Sequence, residues 1–420
     1  MGVRAGPPYN LPVPNYVALA VPLFFALMGV EWLLARRRGL ALYRFPDAVA
    51  DLSTGMTQQI ALVFYKQAGL LAAYALVYRH RLLDLPAGSP LTWLLALVLV
   101  DLAYYWWHRL SHEVSFLWAA HVVHHSSEDY NLAVALRQGV FTPWTIVPFH
   151  LPIAWLGVPP LVMLAADSLD TLYQFWIHTQ LVGRMGFLER FMNTPSLHRV
   201  HHGVNPRYLD RNYGGILAVW DRLFGTYQAE VEPPVYGVVK PLGSFDPFVA
   251  QFHSWGELAR RARAAPRPLD RLRVLVRPPD WTPPGIPSRG PPPAVDPATY
   301  VKYDKRVAPG LSRYLWVELA TAVAGATALM FVGGSLSTPV LAVGAILVLL
   351  APLSWGGFLE GRSWAAPVAL ARLALLAAAA WGARAALPWA AVGAVLAFSA
   401  GMAAWLLRLR RPPARAGSLP

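Results

Sequence analysis

The sequence predicts an all-α, polytopic integral membrane protein: about nine apolar helices, with a histidine-rich helical cap on the cytoplasmic side. Of its 420 residues, 55% are hydrophobic and only 14% charged, whereas a soluble domain carries about 25% charged residues. Apolar runs of about 20 residues, the length that crosses a bilayer, recur along the chain. The 12 histidines are bunched, most of them where apolar sequence gives way to polar.

The first apolar run, near 16–35, ends in Arg36-Arg37-Arg38 with no small-residue cleavage site behind it. A signal peptide carries its positive charge before its apolar core, so this run is expected to be an uncleaved anchor. Runs near 57–78 and 90–107 follow. Stretches near 140–157 and 159–178 are interrupted by proline and polar residues; they read as spans or as a re-entrant pair buried in protein. Residues 180–230 are too polar to span and carry turn signals such as NTPS and NYGG. From about 265 to 298 the chain is proline-rich, as an extended surface linker is. Runs near 312–332, 336–354, 364–383 and 387–407, rich in Ala, Leu, Gly and Val, close the chain as an appended bundle. Three regions result: a transmembrane core with the histidine cap at 1–230, a cytoplasmic extension with the linker at 231–310, and a C-terminal transmembrane helical bundle at 311–420. No long-period repeat is present; only H-x-x-H-H occurs twice.

The formal charge of +13 points to nucleic acid or to membrane topology. Topology accounts for it, because basic residues alternate by loop: they follow the first span, fill 180–310 and close the chain. With the rich loops in the cytoplasm, nine spans put the N-terminus outside and the C-terminus inside. Both histidine-rich segments then face the cytoplasm, and no nucleic acid partner is expected. Cysteine is absent, which removes disulfides, zinc thiolates, thiol nucleophiles and iron–sulfur clusters. Histidine is the remaining strong metal ligand.

His108 and His112 are four apart, and on a helix they share a face. His121, His124 and His125 follow at i, i+3 and i+4, and His198, His201 and His202 repeat that spacing. An ion that keeps an open position takes three or four protein ligands, so eight imidazoles suit two ions. Imidazole serves iron, zinc, copper and nickel alike. His80 and His253 read as polar surface, and His150 as remote from the cluster. Asp167, Asp170, Gln174 and His178 share one helical face inside an apolar segment, where ionisable residues usually line a cavity. His178 is thus a ninth ligand, a partner to one, or a helix–helix hydrogen bonder. Asp101, seven residues before His108, could accept the ligand's other N–H. Glu128 follows His125 by three and is either a proton-handling neighbour of the metals or a solvated helix end. Asn193 and Asn212 read as ligand-orienting or turn residues. Tyr104, Tyr105, Trp106, Trp107 and Trp118 read mainly as an interfacial belt.

The segments HRLSHEVSFLWAAHVVHHSSEDYNLAVALRQ, YQFWIHTQ, NTPSLHRVHHGVN and NYGGILAVWDRLFGTY resemble the fatty acid hydroxylase/sterol desaturase superfamily of membrane di-iron enzymes. Its pattern of H-x3-4-H, H-x2-3-H-H and H-x2-3-H-H matches the eight histidines, and the residues between them most resemble its ether-lipid-cleaving branch. The likeness covers about 100–230. One departure is Leu197, where another histidine is expected in that branch; it lies outside the H-x-x-H-H set.

The resemblance implies two iron ions, O2 as oxidant, a lipid substrate and hydroxylation of a C–H bond. In the ether-lipid branch the product collapses to an aldehyde and a glycerol, and tetrahydrobiopterin supplies electrons; another external reductant or an electron-donor protein is the alternative. A sterol, fatty acyl or carotenoid hydroxylase or desaturase would share the same histidines. A zinc-binding transporter is disfavoured, because transport sets its ligands near the mid-plane. The Ala/Arg/Pro-rich composition suggests a bacterial inner membrane; in a eukaryote the endoplasmic reticulum is expected.

Overall fold

The computed structural model describes residues 16–65, 71–287, 290 and 292–410. Among them the architecture is helical, with no strand and two isolated bridges, Met192 to Leu217 and Gly203 to Tyr236. The chain forms two compact units, 1–303 and 304–420.

In the first unit, helix α1 (Tyr16–Arg37) is followed by α2 (Phe45–Tyr65), α3 (Leu71–Tyr78) and α4 (Pro90–Glu113). Helix α5 (Ser115–His125) begins one residue after α4 breaks at extended Val114. The short α6 (Thr142–Thr145), α7 (Val147–Leu156) and α8 (Pro160–Trp176) come next. Then follow α9 (Pro195–His201), α10 (Val219–Leu223), α11 (Pro247–Ala264) and α12 (Pro268–Val276). An apolar core formed by Ala96, Val100, Ala103, Ile153, Val162, Met163 and Ala166 joins α4, α7 and α8.

The second unit contains α13 (Pro309–Val332), α14 (Thr338–Leu359), α15 (Ala365–Gly382) and α16 (Trp389–Leu409). Its helices are largely apolar, and they contain one buried ion pair. Arg372 of α15 meets Glu318 of α13, both nearly inaccessible. The Arg372 Nε donates to Leu347 O of α14 at 2.9 Å, so one guanidinium ties three helices together.

Six helices among the described residues are long and apolar enough to cross a membrane: α1, α4, α13, α14, α15 and α16. The protein is a multi-pass membrane protein. The other three expected spans take different forms. The run near 57–78 is divided between α2 and α3, and its residues 66–70 lie outside the described residues. Helix α2 buries Asp47, Asp51, Ser53, Thr54, Thr57 and Gln58, a polar face that suits protein neighbours better than lipid. The stretch near 140–157 is broken into α6 and the ten-residue α7, which carries Pro152. Helix α8 has 17 residues, short of the roughly 20 that cross a bilayer. The end of the closing basic stretch, from 411 on, also lies outside the described residues.

Candidate metal centre

The centre is assembled at the C-terminal end of α4, where His108 and His112 lie on adjacent turns. Helix α5 presents His121, His124 and His125 from its last two turns. Helix α9 is started by Thr194, whose hydroxyl accepts the Leu197 N–H, and by Pro195 in its first turn, where a missing N–H costs nothing. It carries His198 and His201, with His202 as its cap. His178 follows the end of α8.

These nine imidazoles form two groups. His108, His112, His121, His125 and His201 make one; His124, His178, His198 and His202 make the other. Within each group the ligand-capable atoms lie within 4.8 Å of one another. Adjacent histidines part company: His125 and His201 belong to the first group, their neighbours His124 and His202 to the second.

Several rings are held by carbonyls on their outer nitrogen. His108 Nδ1 lies 2.8 Å from Tyr213 O, His124 Nδ1 2.9 Å from Arg137 O, His178 Nδ1 2.7 Å from Gln174 O and His201 Nδ1 2.9 Å from Arg211 O. An Nδ1–H donated outward leaves the Nε2 lone pair facing inward. Inward nitrogens crowd together: His125 and His121 Nε2 are 3.2 Å apart, His201 and His125 Nε2 3.2 Å, His178 and His124 Nε2 3.2 Å, and His198 and His178 Nε2 2.9 Å. An ion about 2.1 Å from two imidazole nitrogens holds them about 3.0–3.4 Å apart at octahedral to tetrahedral angles. His108 Nε2, His112 Nε2 and His202 Nε2 are buried without a hydrogen-bond partner, which is costly unless something else takes the lone pair. Burial, reinforced by neighbouring imidazoles, pushes His121, His125, His178, His198, His201 and His202 well below the ordinary histidine value. Burial brings His124 down to about 4. Neutral imidazole is the ligating form, so the donor set fits two metal ions.

Aromatic rings wall the groups. Trp118 packs 5.0 Å from His112, Tyr213 5.3 Å from His112 and Tyr130 5.3 Å from His202. Tyr130 donates to Ile177 O at 3.0 Å, whereas the buried Tyr213 hydroxyl has no hydrogen-bond partner. His150 is buried but outside both groups, its Nε2 3.6 Å from Asp167 Oδ1. His80 is exposed, and His253 is half-buried against its own helix.

Asp101 does not take the expected hydrogen bond from His108, which is directed to Tyr213 O. Its carboxylate accepts Ile216 N–H at 2.6 Å and Trp220 Nε1–H at 2.7 Å. It thus ties down the loop that presents the Tyr213 carbonyl. Gly215 lets that loop approach: a Cβ there would lie 2.9 Å from Asp101 Oδ1 and 2.8 Å from Asp170 Oδ1. Glu128 is in neither group; it accepts the Tyr303 N–H at 2.6 Å and moors the chain leaving α5. Asn193 donates to Gly214 O at 2.6 Å. Asn212, at φ 56°, bridges Leu197 O and Gln228 O at 3.0 and 2.7 Å. Both hold turns.

Sequence reasoning missed Arg137, Asp51 and Glu31, which hold the buried irregular segment 126–138. Arg137 Nη1 pairs with Asp51 Oδ1 at 2.9 Å and Nη2 donates to Ser126 Oγ at 2.8 Å. Glu31 of α1 accepts Leu132 N–H at 2.8 Å and the Tyr43 and Thr179 hydroxyls. Charged residues within apolar or buried stretches were the signal for all three.

The fold and site together define a multi-pass membrane protein whose histidine clusters are fit to hold metal. Residues 93–226 match the family model described as fatty acid hydroxylase, the stretch that carries the histidine pattern. The chain is similar to the alkylglycerol monooxygenase of Homo sapiens, 42% identical over 275 residues that cover 64% of this chain and 61% of that protein. The alkylglycerol monooxygenase of Danio rerio is 41% identical over 272 residues, covering 64% and 61%. The ornithine lipid hydroxylase OlsE of Rhizobium tropici is 29% identical over 232 residues, covering 54% and 68%. The chain thus spans about three fifths of the length of these monooxygenases. No solved structure matches it.

Proposed function

We propose that this chain is a membrane-bound di-iron monooxygenase that uses O2 to hydroxylate a lipid C–H bond, with an O-alkyl glycerol as substrate. The observation that carries the reading is the division of nine buried imidazoles into groups of five and four. That division lies in a chain similar to proteins named alkylglycerol monooxygenase. The five-membered group would hold one iron and the four-membered group, with His178, the other. Iron bound there supplies the redox chemistry that puts one atom of O2 into the C–H bond and releases the other as water. Two electrons and two protons come from tetrahydrobiopterin, another external reductant or an electron-donor protein. Hydroxylation of the carbon beside the ether oxygen gives a hemiacetal, which collapses to an aldehyde and a glycerol.

The chain's own residues orient and exclude. Carbonyls of Tyr213, Arg137, Gln174 and Arg211 fix the tautomers of four imidazoles, and Trp118, Tyr213 and Tyr130 limit water around the rings. Asp101 and Glu128 act as positioning residues, the first through the loop at 213–220 and the second through the end of α5. A centre at the cytoplasmic end of α4 would leave the alkyl chain in hydrocarbon while the reductant arrives from water.

The test is metal analysis of purified wild type, His125→Ala and His202→Ala, alongside aldehyde release from an alkylglycerol with reduced pterin. Two irons per chain, diminished in both variants together with aldehyde release, are expected. An iron-loaded protein that yields no aldehyde with any reductant removes the ether-lipid assignment. The similarity to an ornithine lipid hydroxylase favours hydroxylation of another lipid as the second reading, and product analysis of a host lipid extract separates the two. A protein that holds only zinc removes the oxygenase reading altogether.

A further inference from the structure

Helix α12, PLDRLRVLV, is amphipathic in an unusual sense, because apolar residues lie on both its inner and outer faces. Asp270 and Val274, one turn apart, are fully buried. Val274 packs with Ala119 of α5 and Leu258 of α11, and Asp270 pairs with Arg273 at 3.0 Å. The opposite face carries Leu269, Leu272 and Val276, spaced three and four apart so that they form one stripe. They are 56%, 63% and 63% exposed. Arg267, Arg271 and Arg277 around them are exposed as well. Residues 267–280 hold four arginines against two aspartates, Asp270 and Asp280.

The position of this helix follows from one backbone hydrogen bond. The Ser115 N–H donates to Arg277 O at 2.9 Å, and Ser115 lies two residues past Glu113, where the membrane-crossing α4 ends. The C-terminal end of α12 therefore lies beside the end of a helix long and apolar enough to cross the bilayer. An exposed apolar stripe with arginines beside it, in that place, has the composition of a helix lying in the membrane interface.

We infer that α12 is an interfacial docking helix: Leu269, Leu272 and Val276 sit in the headgroup–acyl boundary of the bilayer, and Arg267 and Arg271 meet anionic lipid headgroups. The occupant is the lipid surface itself, indicated by the positive charge of the segment and by its continuity with the end of α4. No metal or oxidation chemistry is needed for this assignment.

The absence of native cysteine makes the test direct. Single variants Leu272→Cys, Val276→Cys and, as a control, Arg263→Cys of the full chain carry an environment-sensitive fluorophore. They are reconstituted in vesicles of phosphatidylcholine with phosphatidylglycerol. Aqueous iodide is expected to quench labels at 272 and 276 about tenfold less than at 263, and brominated acyl chains to quench them strongly. Replacing Arg267 and Arg271 with glutamine, or omitting phosphatidylglycerol, is expected to raise iodide quenching at 276. Equal iodide quenching at 263, 272 and 276 overturns the assignment. So does shielding that persists in detergent and grows with protein concentration, which would show a second copy covering the stripe. Indifference to the arginines and to anionic lipid overturns the headgroup contact.

Discussion

Replacing Arg137 with methionine would separate the support of the centre from its donors. The guanidinium is 1% exposed; its Nη1 lies 2.9 Å from Asp51 Oδ1, its Nη2 2.8 Å from Ser126 Oγ and its Nε 2.7 Å from Val123 O. The same residue's carbonyl accepts from His124 Nδ1. Methionine keeps much of the stem but deletes every donor and the charge. Asp51, itself fully buried, is left without its cation, and breaking a buried pair from one side costs about 3–5 kcal/mol. At about 1.4 kcal/mol per tenfold, that is roughly two to three and a half orders of magnitude in the folded-to-unfolded ratio. The melting temperature should fall by about 10 °C. Pairing the change with Asp51→Asn removes both charges and should recover about half of the loss. Tryptophan-fluorescence melts in detergent, with metal per chain measured in parallel, read both effects; the ion of the four-imidazole group should be lost first. A single variant that melts within about 2 °C of wild type and keeps both ions would refute the reasoning. Identical melts for the single and double variants would refute its electrostatic part.

Three further outcomes are expected. His178→Ala should lower metal content by one ion per chain, leaving the five-imidazole group loaded; elemental analysis showing two ions retained would remove His178 from the donor set. Gly139→Ala places a Cβ 2.0 Å from Ala120 O and 2.9 Å from Thr142 Oγ1. The displaced α5 should cost about 1–3 kcal/mol or more and reduce metal at His121, seen as a lower melt with sub-stoichiometric metal. Arg372→Met strands Glu318 inside the second unit at about 3–5 kcal/mol, and Glu318→Gln in the same chain should restore part of it. Equal melting of the three proteins would mean that the pair carries no net stability.

The histidine spacing made the centre legible because helical periodicity is local: i, i+3 and i+4 share a face whatever surrounds them. Which imidazole joins which group was not legible. His124 and His125 are about 100° apart on α5, and only the approach of α9 and His178 sends one each way. The hydrogen bond expected from His108 to Asp101 failed for a similar reason. Asp101 shares a helical face with His108, two turns away, but the loop at 213–220 takes the hydrogen bonds of both. Arg137 escaped notice because its partner Asp51 is 86 positions away, so its lone charge in the apolar stretch LAVALRQGV had no visible counterpart in sequence. The apolar runs near 16–35 and 90–107 and the four between 312 and 407 announced their helices through length and hydropathy alone. The polar face of α2 and the breaks around α6 and α7 depend on protein packing that hydropathy does not register.

The parting of neighbours at His124–His125 and His201–His202 has a consequence for how ions bound in the two groups would feel one another. Each dipeptide gives one imidazole to either group, so a change of radius at one bound ion would be transmitted through a single peptide plane to the other. If both groups hold iron, as proposed, exchanging only one for cobalt should shift the spectroscopic signature of the iron that remains.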